Sequence, residues 1–274
     1  MATELTPPSY EIDSLVAKLD KIASVSDAEQ LALRQVPFRV RELADGEDIV
    51  REGAPANLCF LVLAGLVGRY KLLPSGKRQI LSFHPPGDIP DLQSLLLRRV
   101  DHSICAFTRS SIALFDHAHL LELISRYPNI GTIFWRDTLI DAAIFREWIV
   151  GLGRRTAHGR IAHLLCEMAV RYRVVGIGNE RCYPFPVTQA ELADALGLTV
   201  VHVNRVLRAL REDHIIRVEG GTVFILDRDR LWALAEFDPD YLHLDREFTN
   251  KLRSPASSSG GTPGSRYSIS AQDV

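Results

Sequence analysis

The fold is decided by TQAELADALGLTVVHVNRVLRALR, residues 188–211. Thr188 and Glu191 have the spacing of a capping box, which fixes the start of a first helix. Gly197 stands where a tight turn is needed, and Thr199 is placed to cap a second helix. An inward face for that second helix is formed by apolar residues at helical spacing: Val203, Val206, Leu207 and Leu210. The stretch predicts a helix-turn-helix.

Two short β-rich runs follow at residues 215–218 and 222–226, separated by Glu219, Gly220 and Gly221. Paired glycines between such runs predict a tight hairpin. The helices alone leave open an ordinary amphipathic pair with a solvated charged face, but the added hairpin favours a winged helix, whose second helix enters the DNA major groove. The predicted DNA contacts are Thr188, Gln189, Thr199, Val200, Val201, His202, Asn204, Arg205, Arg208 and, near the base of the hairpin, Arg217.

The composition is that of an ordinary soluble protein of two domains, with 274 residues of which 46% are hydrophobic. No apolar run approaches the roughly 20 residues that span a bilayer, and residues 1–10 lack the features of a signal peptide, so we expect a cytoplasmic protein. The net charge of −2 divides unevenly. Residues 151–235 hold 12 Lys and Arg against 9 Asp and Glu, whereas residues 1–150 hold 16 against 19. The positive share therefore falls in the predicted DNA-binding half.

The four cysteines are widely separated and form no C-x-x-C pair. Neither a zinc site nor a disulfide framework is indicated, and we predict no metal and no cofactor. Cys59 and Cys105 lie in strand-like apolar runs, where thiols tend to be unreactive.

Residues 38–115 have a β pattern, with glycines and prolines at short intervals between apolar runs. This predicts a sandwich or barrel. A long helix then begins at Pro128 and runs to about Val150, and its apolar residues cover more than one face. One face is expected to pack on the β-domain and the other on the same helix of a second subunit, although packing within one chain is the alternative. The residues assigned to the dimer contact are Ile133, Ile140, Ile144 and Trp148.

Gly151 and Gly153 are expected to break the long helix and form a hinge. The chain is therefore predicted to be an α+β protein with an N-terminal jelly-roll-like β-roll, a long dimerisation helix and a C-terminal winged helix-turn-helix. The predicted boundaries are 12–127 for the roll, 128–152 for the helix and hinge, and 153–236 for the DNA-binding domain. A tail at 253–274, rich in Ser, Gly and Pro, is predicted to be disordered.

This order of elements resembles the Crp/Fnr family of bacterial transcription regulators over roughly residues 12–236. The resemblance is carried by GEDIVREGAPANLCFLVLAGLVGRYKLLPSGKRQILSFHPPGDI at 46–89, RRTAHGRIAHLL at 154–165 and the helix-turn-helix stretch. It implies a homodimer that binds a palindromic operator, with one reading helix in each half-site. It also makes RNA polymerase a candidate partner.

The segment GDIPDLQSLLLRRVDHSICAF, residues 87–107, departs from the relatives that bind cyclic nucleotides. In those relatives a Glu binds the ribose and an Arg before Ser or Thr binds the cyclic phosphate. Here Asp91 stands for the Glu, and His102 stands for the Arg before Ser103. A neutral imidazole cannot replace a bidentate guanidinium, so we expect no cyclic AMP binding in the usual manner. The alternative is an altered cyclic-nucleotide or other small-ligand site with Arg98 or Arg99 as substitutes; the effector is unidentified.

Other departures concern cofactors and base choice. Residues 1–58 contain no cysteine, which excludes the iron–sulfur cluster of Fnr-type oxygen sensors. His84 and His102 are candidate haem ligands, but ordinary hydrogen-bonded histidines are favoured. In the reading helix Val201 replaces a family Glu while Arg205 matches a family Arg, so guanine recognition is expected and cytosine recognition is not. Val200, Val201 and His202 suit thymine methyl groups and a purine N7.

Two other classes of protein fit the sequence less well than a regulator does. A cupin-like metal enzyme needs clustered histidines inside the roll, yet residues 38–115 contain only His84 and His102, and the pair His117 and His119 follows the last strand-like run. A regulatory subunit that only uses a nucleotide-binding roll is opposed by the helix-turn-helix. We therefore predict that the protein is not an enzyme.

Overall fold

The computed structural model describes residues 12–179 and 181–254. Within them, the N-terminal part is a β-roll of seven antiparallel strands in two sheets, ordered β1-β7-β3 and β2-β6-β4-β5. The strands are β1 Arg39–Leu43, β2 Asp48–Val50, β3 Leu58–Ala64, β4 Val67–Leu72, β5 Arg78–His84, β6 Ser103–Ala106 and β7 Ser110–Asp116. A short 3₁₀ helix at Leu92–Leu95 lies between β5 and β6.

The space between the two sheets is filled by side chains that alternate inward along the strands. This inner cluster consists of Leu43, Phe60, Val62, Val67, Ile104, Ala106 and Ile112. Three helices flank the roll: α1 Asp13–Ile22, α2 Asp27–Arg34 and α3 His117–Arg126. The predicted β-roll architecture is thus confirmed.

The long helix, α4, spans Pro128–Arg154 and includes both Gly151 and Gly153. The expectation that these glycines break the helix is wrong. A glycine costs a helix only about 1 kcal/mol, which packing can offset, and Gly151 is buried. The chain leaves helical geometry at Arg155, and the Thr156 hydroxyl then caps α5 by accepting a hydrogen bond from the Gly159 N–H at 3.1 Å.

The DNA-binding domain follows as α5 Ala157–Val174, β8 Cys182–Pro184, α6 Gln189–Leu196, α7 Val200–Glu212, β9 Ile216–Glu219, β10 Thr222–Ile225 and α8 Arg228–Ala235. Its strands form a sheet ordered β8-β10-β9. Gly220 and Gly221 both have positive φ, +53° and +72°, as the tight turn between β9 and β10 requires. The helix-turn-helix and its wing are confirmed.

The chain then continues through a C-terminal segment, residues 236–254, for which the sequence predicted no structure before position 253. It contains a 3₁₀ turn at Pro239–Leu242 and α9 at Arg246–Arg253. Tyr241 donates a hydrogen bond to Glu167 of α5 at 3.0 Å, and the Asp245 N–H donates to the Lys21 carbonyl of α1 at 2.7 Å. The segment thus joins the DNA-binding domain to the N-terminal part. Residues 255–274 of the predicted tail lie outside the described residues.

A second contact between the two parts lies at the edge strand β5. Arg78 forms an ion pair with Asp194 of α6 at 2.8 Å, and the Gln79 amide donates to the Ala195 carbonyl at 3.1 Å. Beside them the rings of Phe83 and Phe185 meet edge to face, with centroids 5.5 Å apart. The first helix of the helix-turn-helix therefore rests on the β-roll of its own subunit.

Candidate DNA-binding surface and sensor cavity

The turn between α6 and α7 is built as its sequence predicts. The Thr188 hydroxyl accepts from the Glu191 N–H at 3.2 Å, while the Glu191 carboxylate accepts from the Thr188 N–H at 2.7 Å. Gly197 adopts a left-handed conformation with φ of +61°, and the Thr199 hydroxyl caps α7 by accepting from the His202 N–H at 3.2 Å. Both threonines predicted to bind DNA are thus engaged as helix caps, and both remain exposed.

The inward face of α7 is buried at all four predicted positions, Val203, Val206, Leu207 and Leu210. On the other faces His202 is half-buried, and the remaining predicted contacts on α7 are exposed, namely Val200, Val201, Asn204, Arg205 and Arg208. Val201 is 74% exposed and the adjacent Val200 is 47% exposed, so apolar side chains lie on the outer surface at the start of α7. Such a residue is available to a thymine methyl group.

The polar side chains of this surface make different interactions with their neighbours. The Asn204 amide donates to the Gln189 side-chain oxygen of α6 at 3.1 Å. Arg208 pairs with Glu212 at 2.7 Å. On the wing, the Arg217 guanidinium lies over the Phe224 ring at 4.4 Å from its centroid and 3.5 Å from the Glu219 carboxylate.

The five residues predicted for an effector pocket differ in burial, and none of them lines the cavity described below. Asp91 is buried and accepts a hydrogen bond from the Phe60 N–H at 3.0 Å; burial raises its pKa to about 7. His102 is buried and contacts Asp101 at 2.7 Å, and Ser103 accepts from the Glu52 N–H. Two further members of the set are exposed, Arg98 and Arg99.

Sequence reasoning missed Arg69, which lies on β4 and is only 3% exposed. Its guanidinium donates to the Pro90 carbonyl, forms an ion pair with Asp141 of α4, and lies 5.5 Å from the centroid of the Phe145 ring. The side chain thus occupies space between the roll and α4. A single arginine in a strand usually faces solvent, so its sequence carried no signal of this role.

Beside Arg69 lies a cavity between α1, the roll, α4, α5 and the C-terminal segment. Asp88 is its central anion: it pairs with Lys18 of α1 at 3.0 Å, with Arg171 of α5, and with the His84 ring at 3.0 Å. Lys18 also pairs with Asp137 of α4 at 2.8 Å. Residues 38–115 gave no sign of this cluster because its members come from four separate elements.

The charges in this cluster are fixed by their surroundings. Burial alone would raise the pKa of Asp88, but Lys18 and Arg171 hold it well below its usual value. Burial, aided by the nearby Arg69 charge, lowers the pKa of His84 to about 4, so the ring is neutral. Its second nitrogen contacts Ser82 at 2.8 Å, so both ring nitrogens are engaged and neither is left for a haem iron.

The side chains assigned to the dimer contact from sequence face the interior of their own subunit. Ile133, Ile140, Ile144 and Trp148 are 2%, 6%, 6% and 9% exposed within a single chain. In the single chain these residues are buried, and α4 is contacted by α1, α3, α5 and the C-terminal segment, so this burial does not favour the assignment, which stays a prediction. The periodicity showed two apolar faces without showing which one the chain itself buries.

A different stripe of α4 is exposed. Trp135 is 68%, Leu139 53% and Ile149 67% exposed, and Ala142 and Arg146 lie between them on the same side. The spacing 135, 139, 142, 146, 149 alternates four and three residues, which is the heptad seam of a two-helix coiled coil.

Residues 12–179 and 181–254 show neither a metal-binding cluster nor a membrane-spanning helix. They contain no group of three His, Cys, Asp or Glu side chains placed to hold a metal ion, and none of their helices has the length and apolarity to cross a membrane. All four cysteines are free; Cys59, Cys105 and Cys166 are buried, and burial raises the pKa of Cys105 to about 12. Buried thiols of this kind are poor nucleophiles.

Comparison with known proteins matches both halves of the chain. Residues 40–127 fit the cyclic nucleotide-binding domain, and residues 159–234 fit the Crp-like helix-turn-helix domain. The transcriptional activator protein anr of Pseudomonas aeruginosa is 27% identical over 84% of this chain and 93% of its own. The activator FnrL of Cereibacter sphaeroides is 29% identical over 78% and 87%. The structure of FixK2 from Bradyrhizobium japonicum superposes with a TM-score of 0.66 at 28% identity, covering 72% of this chain and 96% of that one.

A cyclic-nucleotide-binding-type roll joined by a long helix to a winged helix-turn-helix defines a class of DNA-binding transcription regulators. The chain belongs to the Crp/Fnr family within that class.

Proposed function

We propose that the protein is a cytoplasmic, homodimeric regulator that binds a palindromic operator through α7 of each subunit and carries out no catalysis. The observation that carries this proposal is the outward face of α7. Among the described residues Arg205 has no hydrogen-bond or ion-pair partner, whereas its neighbours Asn204 and Arg208 are held. A free guanidinium on a reading helix suits the O6 and N7 acceptors of guanine. Family membership makes RNA polymerase the proposed second partner.

Replacement of Arg205 by Ala is expected to weaken operator binding by about 5- to 150-fold, because a bidentate base contact is worth roughly 1–3 kcal/mol of discrimination. Binding to random DNA should change far less. Mobility shifts on both DNAs at one salt concentration measure the ratio. Equal losses on the two DNAs would show that Arg205 contacts only phosphate.

The exposed stripe of α4 supports the homodimer. Apolar side chains at heptad spacing are buried when two such helices pack side by side. In the single subunit Trp135, Leu139 and Ile149 are exposed to water. A two-fold axis along this seam would present two copies of α7 to two half-sites. We assign the dimer contact to this seam because Ile133, Ile140, Ile144 and Trp148 are buried within the single subunit.

The proposal also holds that the roll does not take cyclic AMP in the family manner. Arg69 and Phe145 occupy space between β4 and α4; Asp91 is buried and accepts from the Phe60 N–H, and the buried His102 ring contacts Asp101 through Nδ1. A ligand entering there would have to displace the buried ion pair of Arg69 with Asp141.

Cyclic AMP and cyclic GMP at physiological concentrations are expected to leave both the melting temperature and the operator affinity unchanged. Any ligand that binds only the folded protein raises the melting temperature by mass action, so differential scanning fluorimetry is a direct measurement. A saturable rise with either nucleotide would favour the altered cyclic-nucleotide regulator, with Arg98 or Arg99 as phosphate ligands.

A further inference from the structure

We propose that Asn204 reads one adenine in each half-site and that Gln189 is the positioning residue that orients it. This rests on the proposed role of α7 as the reading helix. The carrying observation is the hydrogen bond of 3.1 Å from the Asn204 amide nitrogen to the Gln189 side-chain oxygen, which joins the two helices of the motif across their exposed surface.

The chemistry of the tethered amide selects the base. A free Asn side chain has two N–H donors and one oxygen acceptor that takes up several orientations. Here one N–H is used by Gln189, which leaves one N–H donor and the oxygen acceptor for a base. Adenine presents N7 as an acceptor and N6–H as a donor in the major groove, so the remaining pair matches adenine in a bidentate contact. Guanine presents two acceptors and does not match.

Gln189 is itself placed for a second contact. It is the first residue of α6, and its amide oxygen is occupied by Asn204. Its own NH₂ group remains as a donor. Phosphate oxygens accept hydrogen bonds from Gln side chains and from helix N-termini, and such contacts fix a protein on the duplex. Gln189 would thus link a contact with a DNA phosphate to the contact between Asn204 and a base.

The first experiment is selection of binding sites from random DNA with the wild-type protein and with Asn204→Ala. The wild-type consensus is expected to contain an adenine in each half-site at a position that Asn204→Ala no longer specifies. Affinity measured on operators that differ only there should show about 5- to 150-fold preference for adenine in the wild type, and little in the variant. An unchanged consensus in Asn204→Ala would overturn the proposal.

The second experiment separates positioning from phosphate binding with a matched pair. Gln189→Glu keeps an oxygen acceptor for Asn204 and loses the NH₂ donor, so affinity should fall on all operators while the adenine preference stays. Gln189→Ala loses both, and the preference should fall by about 2- to 10-fold, the effect of one neutral hydrogen bond. If Gln189→Ala keeps the full preference, the positioning role is overturned.

These outcomes are independent of the proposed function as a whole. If the wild-type consensus is palindromic but Asn204→Ala changes none of its positions, only the proposal for Asn204 fails. The role of α7 as the reading helix would stand. If the wild-type protein selects no consensus, the proposed function fails first. Both side chains lie at the surface, so thermal melting of each variant should match the wild type and serves as the control for folding.

Discussion

Leu139→Glu is expected to give a folded monomer that has lost operator binding. The substitution places two carboxylates in the proposed seam of α4, where Leu139 is 53% exposed in the single subunit. A monomer offers one reading helix, and losing the linked second half-site reduces affinity by about 100- to 10,000-fold. Light scattering and a mobility shift on the same sample measure both effects, while weak, salt-sensitive binding to any DNA should persist.

Two further variants make this expectation specific. Leu121→Glu alters an equally apolar and similarly exposed side chain on α3, outside the stripe, and should remain dimeric and active. Ile144→Glu should unfold the subunit, because it buries a charge in the interior. A Leu139→Glu protein that stays dimeric at micromolar concentration would place the dimer contact elsewhere on the molecule.

Asp88→Asn is expected to lower the free energy of unfolding by about 3 kcal/mol. Removing one partner of a buried ion pair costs roughly 3–5 kcal/mol, and the lower figure applies because Lys18 keeps Asp137 and Arg171 keeps Glu167. Urea denaturation followed by circular dichroism measures the loss.

The difference in the free energy of unfolding between wild type and Asp88→Asn should depend on pH. Since the folded-state pKa of Asp88 is held well below its usual value, its stabilisation is complete above about pH 4, the unfolded-state pKa of Asp. It is lost as the pH falls through the folded-state pKa, so the difference between wild type and Asp88→Asn should narrow in acid. Glu122→Gln, which removes an exposed ion pair with Arg126, should change stability by less than about 1 kcal/mol. Equal losses for both variants would contradict a special role for Asp88.

The DNA-binding motif was predictable because its signals are local. The capping box of Thr188 and Glu191, the turn at Gly197 and the glycine pair of the wing each act within a few residues, so their sequence fixes their geometry. The β-roll was predictable for the same reason, because its short strands are separated by glycines and prolines that act locally. A resemblance of order and spacing then indicated the family.

The charged cluster around Asp88 and the buried face of α4 were not predictable in this way. Which side of α4 is buried depends on where α1, α3, α5 and the C-terminal segment pack, and the sequence of α4 alone has two apolar faces. The cluster around Asp88 joins α1, the β5 loop, α4 and α5, residues up to 153 positions apart from Lys18 to Arg171. The helix break predicted at Gly151 and Gly153 is absent from α4, because a packed helix tolerates glycines.

The C-terminal segment at 236–254 leaves the DNA-binding domain and returns to α1, so it links the two ends of the described chain. Rotation of that domain about Arg155 and Thr156 would require Asp245 to leave Lys21. This hydrogen bond therefore couples the position of the DNA-binding domain to that of α1. Because coupling between binding sites is reciprocal, a ligand whose affinity depends on the position of α7 would bind the operator-bound protein with a different affinity from the free protein.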